Sequence, residues 1–91
     1  MDSIRRHVYV TGKVQGVGFR WHARSYARKL GLTGWVRNLP DRRVELCFQG
    51  SPEAVNNMEN WCRTGSTHFR VTGVSVSEVM PVIDETSFEI K

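Results

Sequence analysis

The stretch Gly12-Lys13-Val14-Gln15-Gly16-Val17-Gly18-Phe19-Arg20 decides how the chain is read, because it joins a strand to a helix through glycines. Val8, Val10 and Val14 lead into it as a strand, and Arg24 to Leu30 lead out of it as a helix. A glycine-rich turn of this kind lets backbone N–H groups converge on an anion with no Cβ in the way. No Ser, Thr, Asp or Asn stands between Gly12 and Trp21, so the following helix has no side chain to cap its first N–H groups. An oxyanion fills that role, and the helix dipole favours it. Arg20 stands at the mouth of the turn with a planar fork that matches phosphate oxygens. Glycine spacing and one surface arginine also describe an ordinary loop. The glycines, the missing cap and Arg20 together point to a small phosphate site, with the backbone of Gln15, Gly16, Val17, Gly18 and Phe19 as its cradle.

The run Gly12-x-Val14-Gln15-Gly16-Val17-Gly18-Phe19-Arg20 resembles the first signature of the acylphosphatase family, and Gly34-Trp35-Val36-Arg37-Asn38, followed by Val44-Glu45, resembles the second. The likeness spans essentially the whole chain, in order. It implies an acylphosphate phosphohydrolase, a hydrolase of carboxyl–phosphate mixed anhydrides, in which Arg20 holds the phosphate and Asn38 orients the attacking water. One position departs from the pattern. The family usually places Gly after the Asp of the second-motif turn, and here Arg42 follows Asp41.

The 91 residues are read as a single domain, 1–91, large enough for one modest core. At 40% hydrophobic the composition is that of a soluble globular chain. No apolar run approaches the ~20 residues of a membrane span. No apolar stretch follows Met1-Asp2-Ser3-Ile4-Arg5-Arg6, so no secretory leader and a cytoplasmic address are expected. The net charge of +4 hides an asymmetry: through Arg43, ten Lys/Arg against Asp2 and Asp41 give +8, and from Val44 onward three against seven acids give −4. The basic half carries the glycine loop and is suited to steering anions, although Arg24, Arg28 and Lys29 also make an ordinary solvated helix face.

Cys47 and Cys62 lack the spacing of a zinc or redox motif, and Glu53 and His68 occupy the positions where a cysteine phosphatase would carry its arginine. His7, His22 and His68 share no ligand spacing with the cysteines or one another and are read as structural or surface residues. Neither a metal nor another cofactor is expected.

Taken in order, the pattern predicts a strand over 6–14 with Val8 and Val10 on one face, and His7, Tyr9 and Thr11 on the other. A helix follows over 21–30, burying Phe19, Ala23, Ala27 and Leu30 and ending at Gly31. A second strand over 33–39 ends at the turn Pro40-Asp41-Arg42. The third, over 43–49, turns Val44, Leu46 and Phe48 inward and Glu45 and Cys47 outward. Ser51, Pro52 and Glu53 open a second helix with a cap, a fitting first residue and an acid for the dipole. Val55, Met58 and Cys62 are its buried stripe, Trp61 flanks it and Gly65 ends it. The fourth strand, over 69–79, changes parity at Gly73, which predicts a bulge. Phe88 and Ile90 mark a short last strand.

This order is the α+β ferredoxin-like βαββαβ plan, a two-layer sandwich with both helices on one face of an antiparallel sheet and a short C-terminal edge strand. The other sheet face is expected to be wet. Strands one and two run parallel on either side of strand three, so their C-terminal ends share a rim ~10 Å apart. The glycine loop ends strand one and Asn38 ends strand two, leaving a gap suited to a phosphoryl group and a water. That step joins the two motifs independently of the family.

The expected reaction is hydrolysis of small acyl phosphates to carboxylate and inorganic phosphate, the latter also an inhibitor. Their carboxylate leaving group needs little protonation, and phosphoryl transfer is largely positioning and charge stabilisation. Arg37 is read as surface, Trp21 and Trp35 as packing, and Gln15 as contributing its backbone. The alternative is a non-catalytic anion- or RNA-binding module, since small ferredoxin-like domains bind RNA on the open sheet face. Tyr9 falls there, but Glu45 and Cys47 weaken the platform, and nucleic acid is not the favoured partner. No membrane partner is expected. A monomer is, with Cys47 as a half-exposed thiol open to oxidative cross-linking.

Overall fold

In the computed structural model, which describes residues 2–64 and 69–91, the chain runs β1 (Ile4–Lys13), α1 (Phe19–Lys29), β2 (Thr33–Asn38), β3 (Val44–Gly50), α2 (Pro52–Thr64), β4 (Arg70–Val79) and β5 (Phe88–Ile90). The expected end of α2 at Gly65, and His68, lie outside the described residues. The sheet order is β4-β1-β3-β2-β5. β1 pairs antiparallel with both β3 and β4, and β2 pairs antiparallel with β3. The terminal strand differs from a purely antiparallel plan: β5 runs parallel to β2, with Val36 opposite Ile90, so the sheet is mixed. The parity change in β4 is a bulge. Thr11 faces Gly73 while Gly12 faces Val71, leaving Thr72 as the extra residue.

Alternation places Val8 and Val10 of β1, Val36 of β2, and Val44, Leu46 and Phe48 of β3 in one core, all fully buried. Phe19, Ala23 and Ala27 of α1, with Val55, Met58 and Cys62 of α2, close that core from above. α1 starts two residues earlier than its apolar spacing predicts, because Gly18 makes the entry turn with φ 81° and Phe19 is already helical.

The opposite sheet face is wet only in part, which qualifies the sequence reading: Thr11, Arg37, Ser75 and Ser77 on it are exposed, but its centre is covered. Glu45, Cys47 and Arg5 point to it and are only 5%, 6% and 6% exposed. The segment leading to β5 straps across the Arg5 end of this face. Both Arg5 guanidinium ends donate to Glu85, at 2.8 and 3.1 Å, and Arg5 also donates to Gln49 Oε1 at 3.1 Å. Gln49 exchanges a reciprocal pair of hydrogen bonds with the backbone of Val82, at 2.8 and 2.9 Å. Glu45 is held between His7 and Arg37, each at 2.5 Å. Burial pushes the Glu45 carboxyl pKa up, but these hydrogen bonds prevail and hold it below the usual carboxylate range. The half-exposed thiol expected at Cys47 is likewise corrected: the strap covers it, and burial raises its pKa, which disfavours the thiolate that oxidation needs. Cys62 lies on the helix side of the sheet, buried in the core, and both cysteines are free.

Candidate active site

The loop between β1 and α1 and the end of β2 meet at one rim because both flanking strands run antiparallel to β3. There they enclose a cavity of about 180 Å³ lined by Val14, Gly16, Gly18, Phe19, Arg20, Trp21, Asn38 and Ile90. That is room for a phosphoryl group with a water, whose share of liquid volume is about 30 Å³.

The backbone of the loop explains its glycines. Gly16 and Gly18 both hold left-handed φ values, 77° and 81°, which a side chain strains to adopt. Gly18 is the N-cap of α1; no side chain caps the helix, and its first turn holds no acidic residue. The junction is fixed from one side by His22, whose backbone N–H donates to Gly18 O at 3.0 Å and whose Nδ1–H donates to the same carbonyl at 2.8 Å. It is fixed from the other by Gln15, whose Nε2 donates to Leu39 O and Arg43 O, both at 2.9 Å. The Gln15 amide thus ties the glycine loop to the β2–β3 turn and sets Asn38 against it. The sequence reading gave Gln15 its backbone rather than its amide, since the amide's partners lie far along the chain.

Two side chains in the cavity wall bear on its chemistry. Arg5, Arg6, Arg28, Arg37, Arg43 and Arg63 each face a carboxylate. Arg20 lines the cavity and, like Arg24, Arg42 and Arg70, forms no ion pair among the described residues. Asn38 Oδ1 is buried without a hydrogen-bond partner among the described residues. A buried acceptor left unmet costs about 1–3 kcal/mol. A donor that reaches this oxygen relieves that cost.

Gly16, Gly18, Phe19, Arg20 and Asn38 therefore come together around one cavity. Gln15 and Val17, the other residues of the expected cradle, line an adjoining groove with Lys13 and Arg42. Trp21, read from sequence as packing, is instead 58% exposed at the cavity wall. Ile90 was not singled out for the site, and only its pairing beside Val36 brings it there. On the strapped face, Tyr9 carries the Arg43 guanidinium at 4.5 Å, and Trp35 carries Arg37 and Lys91 at 5.4 and 4.6 Å. The aromatics that an RNA platform would offer already hold cations of this chain over their rings.

The architecture is that of a ferredoxin-like α+β sandwich with a phosphoryl-sized cavity at the shared rim of β1 and β2. Comparison with known proteins narrows the class: the Acylphosphatase family model matches residues 6–90, and the chain belongs to that family. It is 50% identical over 90 residues to an acylphosphatase of Roseiflexus sp. (strain RS-1), covering 99% of this chain and 97% of the relative. The crystal structure of acylphosphatase from Bacillus subtilis superposes with a TM-score of 0.91 at 35% identity, covering 97% of this chain and 98% of that one. The structure of an acylphosphatase from Coxiella burnetii gives 0.92 at 37% identity, covering 99% and 94%.

Proposed function

We propose that the chain hydrolyses small acyl phosphates to a carboxylate and inorganic phosphate by in-line attack of water on phosphorus. The observation that carries this reading is one cavity lined by Gly16, Gly18, Arg20 and Asn38, with the Asn38 oxygen buried and without a donor among the described residues. The loop N–H groups of residues 15–19 and the Arg20 guanidinium hold the phosphoryl oxygens and gain strength as charge redistributes in the transition state. Asn38 accepts from the attacking water and turns its lone pair toward phosphorus. The carboxylate leaves without needing an acid, and the water's proton passes to the phosphate itself. Inorganic phosphate presents the same oxygens to the same donors and inhibits as product.

Every group in this scheme comes from one chain, so the scheme needs no residue of a partner subunit. The two free buried cysteines fit a reducing compartment, the cytoplasm. Among the described residues no helix is long and apolar enough to cross a membrane. The test is hydrolysis of acetyl phosphate in ¹⁸O-labelled water. Attack at phosphorus places the label in phosphate, whereas label in acetate would move the attack to the carbonyl carbon and displace Asn38 from its role.

A further inference from the structure

All acyl phosphates present the same phosphate end, so the loop, Arg20 and Asn38 cannot tell one from another. Discrimination has to come from what the acyl end meets as it leaves the cradle. The cavity wall divides by chemistry. Gly16, Gly18, Arg20 and Asn38 supply polar groups, while Val14, Phe19, Trp21 and Ile90 supply apolar surface. Val14 and Phe19 are each only 1% exposed and already packed in the core. Ile90 is half-buried.

Trp21 is different. It follows Arg20 directly in the first turn of α1 and is 58% exposed. Its ring meets His22 edge-on, with centroids 5.2 Å apart and planes at 80°. A lone exposed indole is ordinary on a protein surface. One that also forms the wall of a phosphate-sized cavity, beside the arginine that grips the phosphate, offers a broad flat surface to whatever is attached there. Its two χ angles cost little to fix, and a flat apolar group packs on it better than a methyl does.

We propose that Trp21 is the residue that reads the acyl group, and that it favours acyl phosphates with flat, apolar acyl groups over small aliphatic ones. This rests on the hydrolase reading above and deepens it. Contact with the non-reacting end is made equally in ground and transition states, so the effect falls on KM more than on kcat.

The experiment compares benzoyl phosphate with acetyl phosphate on the wild-type protein, Trp21→Ala and Trp21→Phe. The ratio of kcat/KM, benzoyl over acetyl, is expected to fall about threefold to tenfold in Trp21→Ala, chiefly through the benzoyl KM, and to stay within about twofold in Trp21→Phe. Should Trp21→Ala fail to fold by circular dichroism, Trp21→Leu, which keeps apolar bulk without the flat ring, is read in the same way. An unchanged ratio in the variant lacking the ring, with both compounds still turned over, removes Trp21 as the acyl reader and leaves the hydrolase reading intact. Wild-type protein that turns over neither compound removes both.

Discussion

Helix α2 starts at Pro52 under a side-chain cap: Ser51 Oγ accepts the Ala54 N–H at 3.2 Å, and Glu53 lies in the first turn. Helix α1 starts after a left-handed glycine with neither device. Both lie on the same core and both end in basic residues, Arg63 in one and Arg28 and Lys29 in the other. Their beginnings differ. A good cap stabilises a helix by about 1 kcal/mol. α2 takes that stabilisation from its own sequence. α1 forgoes it, which leaves backbone donors and a positive dipole end facing the cavity beside Arg20. On the proposed mechanism the same structural unit thus serves stability at one place and ligand binding at the other, and the choice is made within a few residues before the first turn.

The sharpest way to break that comparison is to damage the two helix starts in parallel. Arg20→Ala is expected to lower kcat/KM for acetyl phosphate by about 10³–10⁵, the range for an arginine that stabilises phosphoryl transfer. It should also weaken inhibition by phosphate, with the melting temperature nearly unchanged, because Arg20 carries no ion pair among the described residues. Ser51→Ala is expected to do the reverse, costing about 1 kcal/mol of stability with turnover intact. Steady-state kinetics and thermal melts on both variants read the contrast. A fully active Arg20→Ala protein would return the glycine loop to an ordinary connection.

Asn38 gives a smaller effect of a different shape. It faces the water rather than the phosphate in the proposed mechanism, so Asn38→Ala should lower kcat by about 10²–10³ and leave the phosphate inhibition constant nearly in place. A weakened phosphate inhibition equal to that of Arg20→Ala would move Asn38 into the phosphate cradle. Normal kcat in a folded variant would take it out of the mechanism.

Which parts of this design were legible in the sequence follows from how far each signal reaches. The element order, the uncapped start of α1 and the capped start of α2 are local patterns, and the bulge at Gly73 shows as a parity change within one strand. Alternation also placed Glu45 and Cys47 on the correct sheet face. It does not report what covers a face, and here the cover comes from Glu85 and Val82, which reach Arg5 and Gln49 across 80 and 33 residues of chain. The parallel docking of β5 was hidden for a related reason: Phe88 and Ile90 show a strand but not its partner. At the site, Arg20 and Asn38 were legible through strand direction, which puts their loops on one rim. Trp21 and Gln15 were not. Whether an indole is packed or exposed, and whether an amide reaches Leu39 and Arg43, depends on distances fixed only when the rim is assembled.

The smallest predicted effect lies in the turn to which Gln15 ties the loop. Leu39 N–H donates to Arg43 O at 2.9 Å and Arg42 N–H to Leu39 O at 3.1 Å. This is a three-residue hairpin loop whose last position favours a left-handed residue. Arg42 occupies it with φ 77°. Asp41 steadies the turn by accepting from Arg43, through Oδ1 from the backbone N–H at 3.1 Å and Oδ2 from the side chain at 2.7 Å. Those bonds hold the Asp41 carboxyl below its ordinary pKa, the backbone N–H most of all. Neither uses the Arg42 side chain. A left-handed conformation costs a non-glycine residue about 1–2 kcal/mol, and glycine's looser unfolded chain takes back roughly 0.5–1 kcal/mol of what it relieves. Arg42→Gly is therefore expected to stabilise the protein by about 0.5–1 kcal/mol, raising the melting temperature by roughly 2–6 °C. Turnover should be close to wild type, because the Leu39 and Arg43 carbonyls that anchor Gln15 remain. A lower melting temperature would mean that the Arg42 side chain makes a contact worth more than the strain, and that the departure from glycine at this position is itself stabilising.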